Sequence, residues 1–339
     1  MKTDVIIATY NRPESLMNVV KKLLESTDKI QNIIVIDSSV KENKEIQTLH
    51  KVRYICSSHA NQPYQRYVGY ISSNAEILVF LDDDMELTEP LWMDEIENVF
   101  ADNSVVGAAI AFTNDNEFLN IKVPKTKLGN PKKPGVLRRA VKAFTGHPYL
   151  NPGAFWLCGI RGVQPPDGGE TQWVQGGAFA ARRSAIYKKF NFKLFDLFEE
   201  KLGMGEDVLL GYTLSKQGKI IYIPQELFYH NDQKDSTYTI DLKSYGERVA
   251  YSRLYLSYEY ARLSGMSKNS VLIHFIWYML WRLGGMNVNY ILEPSKERKE
   301  MIRGYFLGIK KAIRDRKILS YYNDGKIWQK EAIHDIKRR

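Results

Sequence analysis

The feature that most limits the fold is a recurrence near the start of the chain. Short β-rich apolar runs, "DVIIAT" (4–9), "IIVID" (33–37), "VRYIC" (52–56) and "EILVFL" (76–81), alternate with segments patterned for helices. The helical pattern over 13–25 has Pro13 near its first turn, a charged helix is expected around 42–50, and 62–73 and 90–100 repeat the alternation. "VVGAAIAF" (105–112) reads as one more buried strand. Strands separated by helices pair in parallel, because each crossover returns the chain to the same end of the sheet. Such a layer binds its ligands outside the carboxyl ends of the strands. Thr9 to Arg12, Asp37 and Asp82 to Asp84 all fall there, so three polar strand ends converge on one edge.

The run at 76–81 ends in three consecutive aspartates, within "LVFLDDDMEL" (78–87). Adjacent carboxylates repel and are costly to bury without a cation or donors. Asp is also common wherever a strand gives way to a loop. The residues alone therefore leave two readings, a solvated turn or a bound divalent metal.

A chain of 339 residues holds one large domain with additions, or two domains. At 44% hydrophobic and 26% charged, it has the composition of a globular protein. Cys56 and Cys158 lie far apart, which excludes a disulfide framework or a zinc motif and suits a reducing compartment. The opening "MKTDVIIATYN" has too short an apolar run for a secretory signal, so a cytoplasmic location is expected. The net charge of +9 is uneven: residues 293–339 carry 14 Lys/Arg against 7 Asp/Glu, or +7. A second stretch, 122–142, has eight Lys/Arg and no acid. Such segments suit anionic lipid or phosphorylated substrates. Nucleic acid is not expected, because no helix-turn-helix, zinc-finger or RNA-binding signature accompanies the charge.

From about 114 to 172 the periodicity fades into Pro, Gly and Lys, a long loop region by pattern. "QWVQGGAFAARRSAI" then reads as a strand and a helix, and "GMGEDVLLGYTLSKQGKIIYIP" as a helix stopped at Gly218 and a strand.

The order "VIIATYNRPESL", "IIVIDSS", "YQRYVGY", "LVFLDDDMEL", "VQGGAFAARRSAI", "GMGEDVLLGYTLSKQG" and "IPQELFYHND" resembles the family 2 glycosyltransferases of GT-A fold, over roughly the first 230 residues. Each element is weak alone; their order is the specific signal. The resemblance implies an α/β fold, a Rossmann-like doubly wound, mostly parallel sheet, to which the chain's own pattern adds a C-terminal helical extension. It places a GT-A domain at 1–235, with a nucleotide-binding half (1–112) and an acceptor-binding half (113–235); the basic, helical extension at 236–339 is read from its own pattern and lies outside the shared core. The resemblance also implies that Asp84 binds a divalent metal, Mn²⁺ or Mg²⁺, bridging the donor's diphosphate. Asp82 or Asp83 supports that metal or the ribose, and the resemblance leaves open which. Thr9, Tyr10 and Arg12 stand where the family cradles nucleobase and ribose. Asp37 stands where a carboxylate accepts from a base N–H, and Arg66 where an Arg lies near the diphosphate.

Glu206–Asp207 matches the family's acidic pair, whose aspartate is the general base of inverting members. An acceptor hydroxyl must lose its proton as it attacks the anomeric carbon. Acids at a helix start also cap it and meet its dipole, which does not exclude catalysis. Trp173, Gly176 and Gly177 fall on the acceptor side. His230 stands where a histidine completes the metal site, tilting preference from Mg²⁺ towards Mn²⁺. Phosphatases of the haloacid dehalogenase type also set Asp-x-Asp after four apolar residues. They follow it with Thr or Gly-Thr near the start of the chain, whereas Met85 and Glu86 follow here.

"VLIHFIWYMLWRL" (271–283) is apolar on almost every face but too short to span a bilayer. A core helix, an oligomer contact and a helix lying in the membrane interface all fit it. Trp277 and Trp281 share a face, which favours the interface. The expected function is inverting, metal-dependent transfer from a nucleotide diphosphate sugar, with uridine diphosphate as carrier, to a cell-surface or lipid-linked glycan. The expected partners add an anionic membrane on its inner face, and a homo-oligomer stays open. The competing class is an interaction protein with a decayed site, held at the membrane by its basic tail.

Overall fold

The computed structural model describes residues 1–26, 28–114, 135–231 and 241–338. The first half runs β1 (Thr3–Thr9), α1 (Pro13–Ser26), β2 (Ile30–Asp37), α2 (Lys44–Gln47), β3 (Val52–Cys56), α3 (Gln62–Ser72), β4 (Ile77–Asp82), β5 (Met85–Leu87), α4 (Trp92–Phe100) and β6 (Val105–Asn114). Next come α5 (Val136–Phe144), β7 (Phe155–Trp156), β8 (Ile160–Arg161), β9 (Gly169–Glu170), β10 (Ala178–Arg182), α6 (Lys193–Glu199), α7 (Glu206–Leu214) and β11 (Lys219–His230). Five helices close the chain: α8 (Leu242–Ser264), α9 (Lys268–Leu292), α10 (Lys296–Arg314), α11 (Arg316–Leu319) and α12 (Lys326–Lys337).

Nine of the strands form one sheet in the order β3-β2-β1-β4-β10-β6-β11-β5, with β9 paired to β11, and β7 and β8 pair with each other apart from it. β3, β2, β1 and β4 are parallel, and β10 is antiparallel to both β4 and β6. β6 and β11 therefore run with β1, and β5 and β9 run against them. The sheet is mostly parallel, as the alternation implied. Both faces are covered. Val5, Ile7, Val35 and Val79 pack under α1 and α4, while Ile6, Ile34, Phe80 and Phe179 face α3 and α6. Successive side chains point to opposite faces, so a strand buried on both sides reads as an unbroken apolar run.

Two expectations need correction. The segment after β10 forms turns instead of a helix, with Tyr187 and Lys189 at φ 62° and 57°. Those left-handed residues turn Tyr187, Phe190 and Phe192 into an aromatic cluster with Tyr67 and Phe195. The expected loop region at 114–172 holds α5 and the β7–β8 hairpin, and 115–134 lie outside the described residues, with most of the basic stretch.

The closing helices do not hang free of the sheet layer. Ala250, Leu254 and Tyr255 of α8 and Trp328 of α12 belong to the same buried cluster as Ile6 and Phe80. Trp328 packs 5.4 Å from Tyr64 and 5.6 Å from Phe195, ring centre to ring centre.

Candidate active site

β1, β2 and β4 end level with one another: Thr9 is in register with Asp37, and Ala8 with Asp82. Parallel pairing thus brings the polar ends of three strands to one edge. At the Asp37 end an open cavity of about 1010 Å³ is lined by Thr9, Arg12, Asp37, Ser39, Glu42 and neighbours. The aspartate turn and the start of α7 lie outside that lining.

Asp37 is buried and accepts from the Ser39 amide at 2.7 Å and from the Tyr54 hydroxyl. A carboxylate has about four lone-pair sites, so two protein donors leave acceptor capacity. Burial, and then the bond to Asp37, push the Tyr54 phenol well up, which keeps its proton on the tyrosine. Tyr10 is half exposed beside this end.

The three aspartates part ways. Asp83 turns inward, accepting from the Thr9 hydroxyl at 2.6 Å and from Arg12 at 3.0 Å, while its carbonyl accepts from Ser15. Burial pushes its carboxyl up to about 6 despite these donors. Asp83 therefore holds the β1–α1 turn. Arg12, expected at the nucleobase, places its guanidinium on Asp83 and, at 2.6 Å, on Asp84.

Asp82 turns the other way, where its Oδ1 accepts from Gln62 at 2.8 Å and Arg66 at 2.7 Å. Asp84 faces His230, whose Nε2 lies 3.2 Å from Oδ1. That oxygen is buried, and the imidazole is its ion-pair partner. Burial would raise the Asp84 carboxyl, but His230 and Arg12 together hold it below the usual range. His230 is placed by strand pairing, opposite Met85 of β5, and the Asn231 amide donates to the Asp84 carbonyl at 3.0 Å. Among the described residues no group of three or more His, Cys, Asp or Glu is gathered around a point, so Asp82 does not join Asp84 and His230 in a ready-made cage.

Arg66, expected near the diphosphate, is almost fully buried. It ties three segments together: Asp82, the Gly176 carbonyl at 2.6 Å, and Glu206 at 3.4 Å. Gly176 donates its amide to Asp207 Oδ2 at 3.0 Å. Asp207 and Glu206 sit in the first turn of α7, whose cap is Gly205 at φ 77° with no side-chain bond. Backbone N–H groups there favour acids. Gly177 makes room for its neighbours, since a Cβ would lie 2.0 Å from Met85 Cε and 3.0 Å from Phe112.

Trp173, expected on the acceptor side, is buried with Phe155, Val208 and Tyr212, with the Arg161 guanidinium 4.4 Å over its ring. α7 lies so close to this backbone that a Cβ on Gly211 would come 2.6 Å from the Val174 amide. Trp173 thus backs the helix that carries the acids. Sequence reasoning missed Gln62 and Gln65. Gln65 is buried and donates to the carbonyls of Thr9 and Ile36, pinning two strand ends. Gln62 stands one turn before Arg66 on the same helix face, which was the available signal for it; Gln65, adjacent to Arg66, gave none.

Burial and the neighbouring Asp207 charge push the Glu206 carboxyl up to about 7. An acid whose folded pKa is raised binds its proton more tightly when folded, so its ionisation destabilises the fold as pH rises. The window runs from its ordinary value of 4.5 to about 7. Glu206→Gln is therefore expected to gain melting temperature relative to the parent as pH goes from 5 to 8. A constant difference across that range would remove Glu206 from this role.

The sequence profile described as glycosyl transferase family 2 matches residues 4–155. Over these residues the chain is similar to glycosyl transferase family 2. The matched span contains the Asp37 end, the aspartate turn and Arg66; Asp207 and His230 lie beyond it. The O-antigen biosynthesis protein RfbC of Myxococcus xanthus is 24% identical over 240 residues. That is 68% of this chain but 17% of the longer relative. Among solved structures, S. aureus TarS 1-349 in complex with UDP-GlcNAc aligns at a TM-score of 0.49 and 12% identity, covering 99% of this chain and 89% of that one. GalNAc-T7 with UDP, GalNAc and Mn²⁺ aligns at 0.45 and 16%, covering 82% and 56%. The mannosyltransferase PcManGT from Pyrobaculum calidifontis, in complex with GDP-Man and Mn²⁺, aligns at 0.45 and 11%, covering 99% and 85%. Among the described residues, no helix is long and apolar enough to cross a membrane.

Proposed function

We propose that the chain transfers a sugar, with inversion, from a nucleotide diphosphate sugar to a hydroxyl of a cell-surface or lipid-linked glycan. One observation carries this reading: a single buried arginine, Arg66, links the aspartate turn to the turn and helix that hold Asp207 and Glu206. Donor-side and acceptor-side carboxylates are thereby set around one place on the sheet edge. Residues 1–112 then serve the donor and 113–235 the acceptor. The relative named for O-antigen biosynthesis supports a surface glycan as acceptor.

At the base end, the remaining acceptor capacity of Asp37 suits the ring N–H of a uracil, which supports a uridine diphosphate donor. At the other end, a buried carboxylate oxygen of Asp84 and the His230 imidazole nitrogen 3.2 Å from it form a two-donor set. Such a set suits a divalent ion that takes its other ligands from phosphate oxygens and water. Asp84 and His230 would hold the ion, Mn²⁺ or Mg²⁺, which when bound neutralises charge on the departing diphosphate. Arg12 shares Asp84 in the present arrangement. Across the site, the Gly176 amide fixes one oxygen of Asp207, and the other makes no hydrogen bond among the described residues. Asp207 can thus take the acceptor's proton as the sugar–oxygen bond forms.

The test is a thermal-shift titration of nucleotide sugars with and without Mn²⁺, on the parent and on Asp84→Ala. A ligand at 100 times its Kd stabilises the native state by about 2.7 kcal/mol. The parent is expected to show a shift that Mn²⁺ enlarges, and the variant to lose the Mn²⁺-dependent part. An equal Mn²⁺ effect in a folded variant would remove Asp84 from the metal site.

A further inference from the structure

The geometry points to a membrane-docking face built from α5 and the outer side of α9, whose occupant is an anionic bilayer surface. α5 buries none of its nine residues: Val136, Leu137, Val141 and Phe144 are all more than half exposed. On α9, Ile273, Ile276, Trp277, Leu280 and Trp281 lie exposed at helical spacing, continued by Val288, Ile291 and Leu292. The two helices form one surface, because the Phe144 ring lies 5.4 Å from both Trp277 and Trp281. Trp277 also donates its indole N–H to the Phe144 carbonyl. A contiguous apolar patch of this kind marks an interaction site.

Charge decides the occupant. Neither helix contains an acidic residue, while Arg138, Arg139, Lys142, Lys268 and Arg282 lie on them. A second copy applied to the same face would set these cations against one another. An anionic bilayer complements them and accepts the apolar side chains between its headgroups. The paired tryptophans suit that depth, since indole settles at headgroup level. The groove farther along α9, lined by Leu283, Phe306 and Leu307 with Lys243 and Arg303, repeats the chemistry of apolar floor and cationic rim. The face carries the acid end of the site with it: α8 joins α9 to α7, and its Leu256 would lie 3.1 Å from a Cβ on Gly205. Docking therefore holds the site beside lipid-linked acceptors, and the inference does not depend on which sugar is transferred.

Co-sedimentation of the full chain with vesicles tests this without any readout of turnover. The parent is expected to sediment with vesicles of phosphatidylcholine and phosphatidylglycerol in equal parts. It should bind less at high salt and scarcely at all to phosphatidylcholine alone. Each basic residue near an anionic surface contributes about fivefold in partition, so Arg138→Gln with Lys142→Gln is expected to lower it about 25-fold. Leu280→Ser, which removes an exposed apolar side chain, is expected to lower it about tenfold. Melting temperatures should stay at the parent's value, because none of these side chains is buried. Absence of sedimentation with the anionic vesicles at low salt would overturn the proposal, as would parental binding by both variants. A dimer in sedimentation velocity that Leu280→Ser abolishes would overturn it in favour of a second copy on this face.

Discussion

Asp207→Asn is expected to give a folded protein that binds nucleotide sugar as the parent does and transfers about 10²–10⁴-fold more slowly. Asn has the size of Asp, caps helices about as well, and its carbonyl oxygen can still accept the Gly176 amide. The turn that Arg66 holds is then left in place. What the amide cannot do is take a proton from the attacking hydroxyl. Donor affinity should survive, because the Asp37 end and the Asp84–His230 pair belong to other segments of the sheet edge. Turnover at the parental rate would make Asp207 a cap only. Glu206→Gln made alongside it separates the two acids: loss of transfer in that variant alone would move the base to Glu206.

The strand ends were legible because parallel pairing leaves little freedom in where they go. Once 4–9, 33–37 and 76–81 read as neighbouring strands, Thr9, Asp37 and Asp82 had to share an edge, and they do. The direction of each side chain at that edge was not legible. Asp82, Asp83 and Asp84 are successive residues, yet one meets Arg66, one Thr9 and one His230, partners drawn from three separate elements. Arg12 and Arg66 were recognised as site residues for contacts with a ligand, and the structure gives them carboxylates of the chain itself. A cation among buried acids finds the nearest of them, and nearness in space is not written in one segment. The helix expected after β10 fails for a related reason. Packing Tyr187 and Phe192 against Tyr67, with Phe190 against both of them, outweighs the helical pattern of that stretch.

The largest effect on stability is expected far from the site in sequence, at the end of the chain. The sequence marks the tail as a basic helical extension, and in the structure one face of its α12 closes the core. Trp328 is buried among His59, Tyr64 and Phe195, and donates its indole N–H to Asp196 at 2.9 Å. One turn of helix farther on lies the apolar Ala332, and then Asp335, 2% exposed. Asp335 accepts from the Tyr64 hydroxyl at 2.8 Å and from the Ser58 amide and hydroxyl at 3.0 Å. Both contacts bear on the start of α3, the helix that carries Gln62, Gln65 and Arg66 to the sheet edge. Trp328→Ala removes a buried aromatic ring and leaves a cavity behind it, which costs about 3–5 kcal/mol. Urea unfolding should show a loss of that size. Donor affinity should weaken with it, since α3 loses the surface that seats its first turn. A loss under about 1 kcal/mol would mean that α12 only rests on the sheet layer, and that α3 positions Arg66 without it.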